Sequence, residues 1–340
     1  MLAWPAGDSD RANPYLSLLY TGIVGQRGTW LVLDANRRNI WRTADIVHVH
    51  WPEDFATRAS RVAAFSRATS VLLVLYWFYV RGSKIVWTVH NIRPHENRYP
   101  ALQRFFYWQL SRIVSGLVFL TKASRSDFSN LQCQRFSHVP YAIVPHGTYD
   151  DAHGSRRKRG LVEVADRASI LGSFGQIRSY KNQHGIARWV NSGDGTLLLR
   201  IAGEPVDQEV VDCLRREESS LVSVRTGWLD DEQLISFVDE IDALIIGDLS
   251  VRNSGTVILA LSRNVRVIAP ANSSMKEMAD AVGEDWIFLY EDLDSILQSE
   301  VSDWLACPPL SEPDLTDFGW TNVAKAHVVF FETLIQSCTS

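Results

Sequence analysis

Short apolar runs alternate with longer stretches of helical periodicity along the whole chain. In the first half, runs of three to five residues, each followed by polar turn residues, are predicted as buried strands: Ile46–Val49, Ile85–Val89, Gly116–Leu120 and Ala142–Val144. Between them, Arg58–Val80 and Leu102–Ile113 space their apolar residues as helices do. Strands that alternate with helices predict βαβ units on a parallel sheet.

The second half repeats this scheme and ends in an amphipathic helix. Its predicted strands are Ile170–Phe174, Leu197–Ala202, Val222–Thr226, Ala243–Ile246 and Val265–Ala269. The polar segment Asp150–Arg167, which holds a run of four basic residues, lies between the halves. We therefore predict an α/β protein of two Rossmann-like, doubly wound domains: residues 1–150, a linker 151–167, residues 168–315, and a C-terminal helix within 316–340.

Length and composition agree with two globular domains. The chain has 340 residues, of which 46% are apolar and 21% charged, which excludes disordered, collagenous and low-complexity classes. Four scattered cysteines without a C-x-x-C pair argue against a disulfide framework or a structural zinc site. The longest apolar run, Val71–Val80, is shorter than the roughly 20 residues of a membrane span, and no signal peptide is predicted. We expect a cytoplasmic protein, either free or peripheral on the inner face of the plasma membrane.

The two halves differ in charge. Residues 1–150 hold 17 basic and 9 acidic side chains, whereas residues 151–340 hold 17 and 30. A basic half that is also rich in aromatic residues favours an anionic surface, either lipid headgroups or nucleic acid, although the halves could also have drifted apart in charge. The aromatic stretches Leu75–Tyr79 and Phe105–Trp108 are the predicted lipid contacts; the alternative is that both belong to the core.

Candidate acids and bases follow two strands of the first half. Ligands of doubly wound sheets bind beyond the carboxyl ends of the strands. Glu53 follows the first of these strands by four residues, and His90, His95 and Glu96 follow the next. Imidazoles and carboxylates can accept a proton near neutral pH, although the same residues could simply cap elements or pair with Arg93. A metal site of His48, His50, His90 and His95 is a weaker alternative, since these residues lack a familiar ligand spacing.

Glu96 is the predicted general base. It lies far enough along its loop to face an acceptor, with Arg93 and His95 beside it to orient the carboxylate. Pro52 is expected to turn Glu53 outward, and His90 directly follows its strand, a position better suited to contacting the donor sugar or a phosphate.

Two segments of the second half are candidate phosphate sites. Gly175 follows a strand and is succeeded by the cations Arg178 and Lys181, which could bind a diphosphate. Asn253 or Ser254 is a natural N-cap for a helix that starts near Gly255 and Thr256, and free N–H groups at such a start bind anions. Neither segment is a Walker loop, and G-x-G-x-x-G is absent after the strands, which disfavours a nicotinamide or flavin. An ordinary cap is the alternative, but the two segments together favour a nucleoside diphosphate.

The order of these segments resembles that of the GT-B glycosyltransferases over nearly the whole chain. The matching segments are Thr88–Asn91, Phe174–Asn182, Ile201–Pro205, Thr226–Leu229, Asn253–Thr256 and Phe318–Leu334. The resemblance implies two domains facing across a cleft, a terminal helix that crosses back to the first domain, and Gly203 and Glu204 among the donor-binding residues. A hexosyltransferase that uses a nucleotide-sugar is the implied activity.

A narrower resemblance concerns the first domain. Ala3–Pro5, Asn13–Tyr15, Val49–Pro52 and Thr88–Glu96 resemble bacterial exopolysaccharide enzymes, the GDP-mannose:glycolipid 4-β-mannosyltransferases of xanthan-type assembly. This resemblance implies GDP-mannose as donor, a polyprenyl-diphosphate-linked oligosaccharide as acceptor at an anionic membrane, and no nucleic acid partner. A UDP-glucose or UDP-glucuronate transferase, a sugar-nucleotide epimerase and a non-catalytic homologue are the alternatives.

One departure from the family bears on mechanism. Many retaining GT-B enzymes carry two Glu residues eight positions apart around the phosphate helix, but here that helix reads Val257–Leu261 without a Glu. The absence favours an inverting direct displacement, with Asn253 in place of the first Glu. Because Arg178, Lys181 and the helix start would stabilise the leaving diphosphate, we expect neither a metal nor another cofactor.

Overall fold

The structure is a computed structural model that describes residues 1–5, 14–26, 30–35, 38–53, 60–91, 98–132, 134–149, 167–252 and 254–337. The chain divides into two compact units. The first comprises Met1–Gly147 and Asp317–Ser340, and the second comprises Thr148–Thr316. Apart from Arg167, the predicted linker lies outside the described residues.

The described part of the first unit forms one parallel sheet flanked by helices. Its elements are β1 (Leu2–Trp4), α1 (Tyr15–Gly25), β2 (Leu33–Asp34), β3 (Ile46–His50), α2 (Arg61–Val80), β4 (Lys84–Val89), α3 (Pro100–Ile113), β5 (Val114–Phe119), α4 (Lys122–Leu131), β6 (Tyr141–Ile143) and α11 (Trp320–Gln336). The sheet order is β2-β1-β3-β4-β5-β6. The strand order therefore reverses between β1 and β3, the kind of position at which doubly wound sheets bind ligands.

Alternation along the strands divides the core of the first unit into two layers. Val47, Val49 and Trp87 pack with α2 and α3 on one face of the sheet. Ile46 and Val86 face the other way and pack with α1 and α11. The C-terminal helix thus completes the core of the first unit, as the family resemblance implied.

Helix α2 combines a buried and an exposed apolar surface. Of the helices in the described residues, it alone is long and apolar enough to cross a membrane, with a mean hydropathy of 1.4 in a window of which 33% is buried. Length and composition of this kind also fit a core helix. The ten-residue run seen in the sequence is therefore part of a longer apolar helix.

The described part of the second unit repeats the architecture. Its elements are β7 (Ser169–Phe174), a 3₁₀ turn (Ser179–Lys181), α5 (Gln183–Asn191), β8 (Leu197–Gly203), α6 (Gln208–Arg216), β9 (Val222–Thr226), α7 (Asp231–Glu240), β10 (Ala243–Ile245), α8 (Gly255–Ser262), β11 (Arg266–Pro270), α9 (Ser273–Val282), β12 (Ile287–Tyr290) and α10 (Gln298–Ala306). The parallel sheet has the order β12-β11-β10-β7-β8-β9, so its direction of winding reverses between β7 and β10.

All nine predicted strands are present, with ends that differ from the prediction by no more than two residues. Strands β1, β2 and β12 were not predicted. The first two span only three and two residues, too few for a periodic signal, and β12 has two half-exposed positions between its buried ends.

Candidate active site

Polar side chains of the first unit meet at the carboxyl edge of its sheet. His48 and His50 point to the same face of β3 because they are two residues apart, and Thr88 of β4 lies opposite His50 in the register. His90 follows β4 directly. The face they share is covered by α1 and α11, which bring Tyr20 and His327 against the histidines.

A chain of hydrogen bonds connects four of these side chains to His90. His48 Nε2 lies 2.7 Å from Thr88 Oγ1, and His48 Nδ1 lies 3.2 Å from Tyr20 Oη. Tyr20 Oη lies 2.9 Å from His50 Nε2, and His50 Nδ1 lies 2.8 Å from His90 Nε2. The chain runs from the interior of the unit to the edge at which ligands of such sheets bind.

Aromatic rings enclose the end of this chain. Trp51 stacks on His90 at a centroid distance of 4.4 Å, and Tyr15 meets His90 edge-on at 5.2 Å. Trp320, at the start of α11, packs against Tyr15 at 5.6 Å. Trp51 has a φ of 50°, a left-handed conformation that is costly for a bulky residue. Strain of about 1–3 kcal/mol of this kind concentrates at functional sites.

The buried histidines are held neutral. Burial and the neighbouring imidazoles lower the pKa values of His48 and His50 well below the usual range. Burial, together with His146 and His327, lowers the pKa of His90 to about 3. The pKa values of His146 and His327 are lowered by burial to about 4, although their ring nitrogens also contact the carbonyls of Gly147 and Val323. Near neutral pH these side chains act as neutral donors and acceptors rather than as cations.

The orientation predicted for Glu53 is wrong. Its side chain is turned inward, with 5% of its surface exposed, and Pro52 beside it is also buried. Burial, with the Glu53 carboxylate nearby, raises the pKa of the Tyr107 phenol well above its usual value. Glu53 therefore lies in a region of low polarity, where a carboxylate can serve as a base. His95 and Glu96 lie outside the described residues.

The positions of the described histidines do not support the predicted alternative of a metal site. Where the structure describes the chain, it contains no group of three or more His, Cys, Asp or Glu side chains suited to a metal ion. The ring nitrogens of His48 and His50 face Thr88, Tyr20 and His90 instead. His95, the fourth residue of that alternative, lies outside the described residues.

In the second unit, the turn after β7 and the end of β8 approach each other closely. A Cβ on Gly203 would lie 1.5 Å from the carbonyl oxygen of Gly175, so only glycine fits there. Gly175 has a φ of +98°, which favours glycine as well. Exposed Glu204 supports this turn through its backbone, since its carbonyl accepts a hydrogen bond of 2.8 Å from Ile177.

Cationic side chains lie where the winding of the second sheet reverses. Burial and the nearby Arg178 lower the pKa of Lys181 to about 8, against the opposing influence of Asp248. A Cβ on Gly247, just after β10, would lie 2.7 Å from the backbone oxygen of Lys181, so the two loops are in contact. Arg178 Nε is buried and has no hydrogen-bond partner among the described residues. Two partly desolvated cations at this edge are suited to a diphosphate.

The start of α8 offers backbone N–H groups next to two hydroxyls. The backbone N–H groups of Val257 and Ile258 donate to the Ser254 carbonyl. The N–H groups of Gly255 and Thr256 come before these bonds and, as at every helix start, have no acceptor within the helix. Ser254 Oγ lies 2.6 Å from Thr256 Oγ1. The helix begins at Gly255, as predicted, with Ser254 as its N-cap, and Asn253 lies outside the described residues.

Comparison with known proteins bears on the fold and on the class of enzyme. No family model matches the chain. It is 26% identical over 322 residues to a GDP-mannose:glycolipid 4-β-D-mannosyltransferase of Xanthomonas campestris pv. campestris, in an alignment that covers 93% of this chain and 86% of that protein. Among solved structures, AviGT4, a glycosyltransferase of avilamycin A biosynthesis, matches with a TM-score of 0.61 at 14% identity and covers 99% of this chain and 97% of its own.

A second solved structure, Anabaena HepE in complex with UDP-glucose, matches with a TM-score of 0.60 at 11% identity over 99% of this chain and 96% of its own. The chain is a glycosyltransferase with the GT-B fold. The predicted fold and enzyme class are thereby confirmed. The roles of individual residues in this glycosyltransferase stay predictions.

Several residues of the site were missed in the sequence. His146 follows β6 and could have been found by the same strand-end rule that selected His90. Tyr20 and His327 lie on helices far from β3 in the chain, and helical periodicity places them only on a buried face. Asp248, which follows β10 and acts on the pKa of Lys181, was also overlooked.

Proposed function

We propose that this glycosyltransferase transfers mannose from GDP-mannose to a lipid-linked saccharide by direct, inverting displacement. The second unit would hold the donor through Gly175, Arg178, Lys181, Gly203, Glu204 and the start of α8 (Asn253, Ser254, Gly255, Thr256), and the first unit would bind the acceptor. A base in the loops after β3 and β4 would remove the proton of the attacking hydroxyl. The cations and the helix start would stabilise the departing diphosphate without a metal.

The observation that carries this proposal is the pair of cations at the reversal point of the second sheet. Arg178 has a buried Nε without a partner in the described residues, and Lys181 is desolvated enough for its pKa to fall. Buried polar groups are normally satisfied, so the Arg178 Nε favours an anionic ligand. Lys181 Nζ donates to the Phe174 carbonyl at 3.4 Å, and its ammonium group has three hydrogens to donate. The Xanthomonas protein that aligns with this chain is named for GDP-mannose, and we choose this donor for the proposal on that ground.

Incubation of the purified protein with radiolabelled GDP-mannose and a bacterial membrane lipid extract tests the proposal. We expect label in the lipid fraction, a β-linked product, and a rate that is unchanged by a chelator. Transfer only from UDP-glucose or UDP-glucuronate would show that GDP-mannose is not the donor. Conversion of the nucleotide-sugar without a lipid product would indicate an epimerase, and binding without turnover would indicate a non-catalytic homologue.

Lys181→Ala is expected to weaken GDP-mannose binding about 10–150-fold, the equivalent of the 1.5–3 kcal/mol typical of a hydrogen bond to a charged group. Isothermal titration calorimetry measures this difference directly. The matched control is Lys276→Ala, which removes an exposed lysine of the same unit that lies 3.5 Å from Glu291. Equal affinity in Lys181→Ala and the wild type would remove Lys181 from the donor site.

Membrane association forms the second part of the proposal. Five exposed apolar side chains form a stripe within about a third of the circumference of α2. They are Val62, Phe65, Leu73, Trp77 and Val80. Arg81 lies 5.0 Å from the centre of the Trp77 ring, so a cation accompanies this stripe. An apolar stripe flanked by cations is typical of helices that lie in a lipid interface.

The aromatic stretches predicted to contact lipid are divided between the surface and the core. Trp77 and Tyr79 are exposed, whereas Leu75 and Phe78 of the same stretch are fully buried. In α3, Phe105 and Trp108 are exposed, and Arg112 lies 5.0 Å from the Trp108 ring. Phe106 and Tyr107 are buried. The helices thus bury one face and leave aromatic side chains on the other for a membrane.

The double substitution Leu73→Glu and Val80→Glu is expected to reduce binding to vesicles containing phosphatidylglycerol by at least tenfold. These side chains are 66% and 72% exposed, so the fold tolerates the change, while each lost apolar insertion costs about 1.5–3 kcal/mol. Flotation at low and high salt measures the binding. Leu310→Glu, at a 99% exposed position of the second unit, is the control. Wild-type binding by the double variant would refute α2 as the lipid contact.

A further inference from the structure

The loop that follows β10 connects the two candidate phosphate segments of the second unit. This β10 loop comprises residues 247–252. At its start, a Cβ on Gly247 would lie 2.7 Å from the backbone oxygen of Lys181, so the loop touches the turn that carries the cations. After its end the chain leads on to Ser254, the N-cap of α8. The position of the β10 loop therefore bears on both parts of the proposed diphosphate site.

Little apolar burial holds the β10 loop in place. Leu249 is 60% exposed, and Ser250 is exposed as well. Inside the loop, Asp248 Oδ1 accepts hydrogen bonds from the backbone N–H of Ser250 at 2.9 Å and from the Ser250 hydroxyl at 2.6 Å. The Asp248 carbonyl accepts from the Val251 N–H at 3.1 Å. These bonds shape the turn but do not attach it to the rest of the unit, so its position depends on contacts from neighbouring elements.

Asn272, at the start of α9, supplies such a contact. Its Nδ2 donates to the Val251 carbonyl at 2.8 Å and to the Leu249 carbonyl at 3.3 Å. Its Oδ1 accepts from the backbone N–H groups of Ser274 and Met275 at 3.1 and 3.0 Å. Because backbone N–H groups only donate and carbonyls only accept, this is the one orientation of the amide that satisfies all four partners.

The side chain of Asn272 therefore does more than cap a helix. Serine, threonine and aspartate are also preferred at helix starts. Of these side chains, only that of asparagine adds a separate N–H₂ group to the capping oxygen. We propose that Asn272 is a positioning residue that fastens the β10 loop against Lys181 and so prearranges the diphosphate site. The effect on the donor rests on the proposed function, whereas the attachment of the loop does not.

A second side chain acts on the end of the same strand. Tyr290, the last residue of β12, donates its phenolic hydrogen to the Ile246 carbonyl at 2.6 Å, across the intervening strand β11. Burial, with Asp248 and Asp292 nearby, raises the pKa of this phenol well above its usual value, so it stays a donor near neutral pH. The chain is thus held from β12 just before the β10 loop and from α9 within it.

Hydrogen exchange of the full chain without ligand tests the attachment of the loop. Asn272→Asp keeps an acceptor for the N–H groups of Ser274 and Met275 but has no hydrogen to donate to the loop. We expect the Ser250 and Val251 amides to exchange about three- to tenfold faster than in the wild type, as for loss of a hydrogen bond, while the amides at the start of α9 keep their rates. Wild-type rates at Ser250 and Val251 would overturn the proposal, and so would faster exchange confined to the start of α9.

Binding of GDP tests whether the loop serves the donor site. Asn272→Ser retains a capping oxygen, adds no charge and lacks the N–H₂ group. We expect isothermal titration calorimetry to show about tenfold weaker GDP binding, since ordering of the released loop would then oppose binding. Ser273→Ala, an uncharged change at the exposed next position of the chain, is the control and should bind GDP as the wild type does. Wild-type affinity in a folded Asn272→Ser protein would overturn the proposal.

A double-mutant cycle with Lys181→Ala tests whether the loop acts through Lys181. If the loop holds Lys181 in place, Asn272→Ser should weaken GDP binding by no more than about threefold once Lys181 is replaced. An equal loss with and without Lys181 would overturn the link to that residue. Absence of GDP binding by the wild type would refute GDP-mannose as the donor, while the exchange rates of the loop would still decide whether Asn272 holds it.

Discussion

Replacing Glu96 by Gln is expected to lower kcat about 10²–10⁴-fold, the usual contribution of a general base, and to leave the affinity for GDP-mannose nearly unchanged. The acceptor hydroxyl must lose its proton as it attacks the sugar, and the loops that follow β3 and β4 hold the available groups. Of these groups, Glu96 is the one that the sequence favours as the base. Single-turnover kinetics with radiolabelled donor separate this chemical step from binding.

Glu53→Gln is the matched comparison, since it removes the carboxylate of the loop after β3. Glu53 is inward-facing and lies near enough to Tyr107 to raise the pKa of that phenol. We expect Glu53→Gln to lose less activity than Glu96→Gln. The opposite order would transfer the role of the base to Glu53 and leave the donor site of the second unit unaffected. Loss of donor affinity in Glu96→Gln would contradict a role limited to the base.

The fold was predictable because each central strand is a short, mostly apolar run that is buried on both faces. In β3 all five residues are buried, including His48 and His50, and in β4 five of six are buried. Such runs stand out from the amphipathic helices around them. Strands β1 and β2 are as short as the turns that surround them, and their place in the sheet follows from pairing with β3 and β1 rather than from their own pattern. Pairing of this kind depends on residues that are far apart in the chain, so a short stretch of sequence does not reveal it.

The candidate site was predictable only where a rule connects sequence to the edge of a sheet. The strand-end position selected the turn at Gly175, which lies against the end of β8 at Gly203, a residue that only the family resemblance had selected. It also placed His50 and His90 at one edge, 2.8 Å apart between their ring nitrogens. The direction of Glu53 could not be found in this way, because it depends on the packing of its loop. Tyr20 joins His48 to His50 from α1, and no sequence rule gives the rotation of one helix over a sheet.

The buried neutral histidines make the stability of the first unit depend on pH. His90, His146 and His327 take up protons in the folded protein only near pH 3–4, whereas in the unfolded chain they do so near pH 6.5. Between these values the unfolded state binds more protons, so the free energy of unfolding falls as the pH is lowered. Each such histidine contributes a loss of about 1.4 kcal/mol per pH unit below pH 6.5. We expect the first unit to be stable at pH 7 and to unfold between pH 6 and pH 4.

Urea unfolding at pH 7, 6 and 5 measures this dependence, and His327→Gln tests its origin. His327 is fully buried, and its Nε2 has no hydrogen-bond partner among the described residues. Replacing His327 therefore removes one group that resists protonation and leaves the hydrogen bonds among Thr88, His48, Tyr20, His50 and His90 in place. The slope of stability against pH should fall by about one proton, a difference on the order of 3 kcal/mol between pH 7 and pH 4. Phe331→Leu, one helical turn away in the same core, should lower stability at every pH and keep the wild-type slope. A buried imidazole that stays neutral in the folded state must contribute to the pH dependence of the free energy of unfolding. An unchanged slope in His327→Gln would therefore show that His327 is not among the histidines responsible for acid unfolding.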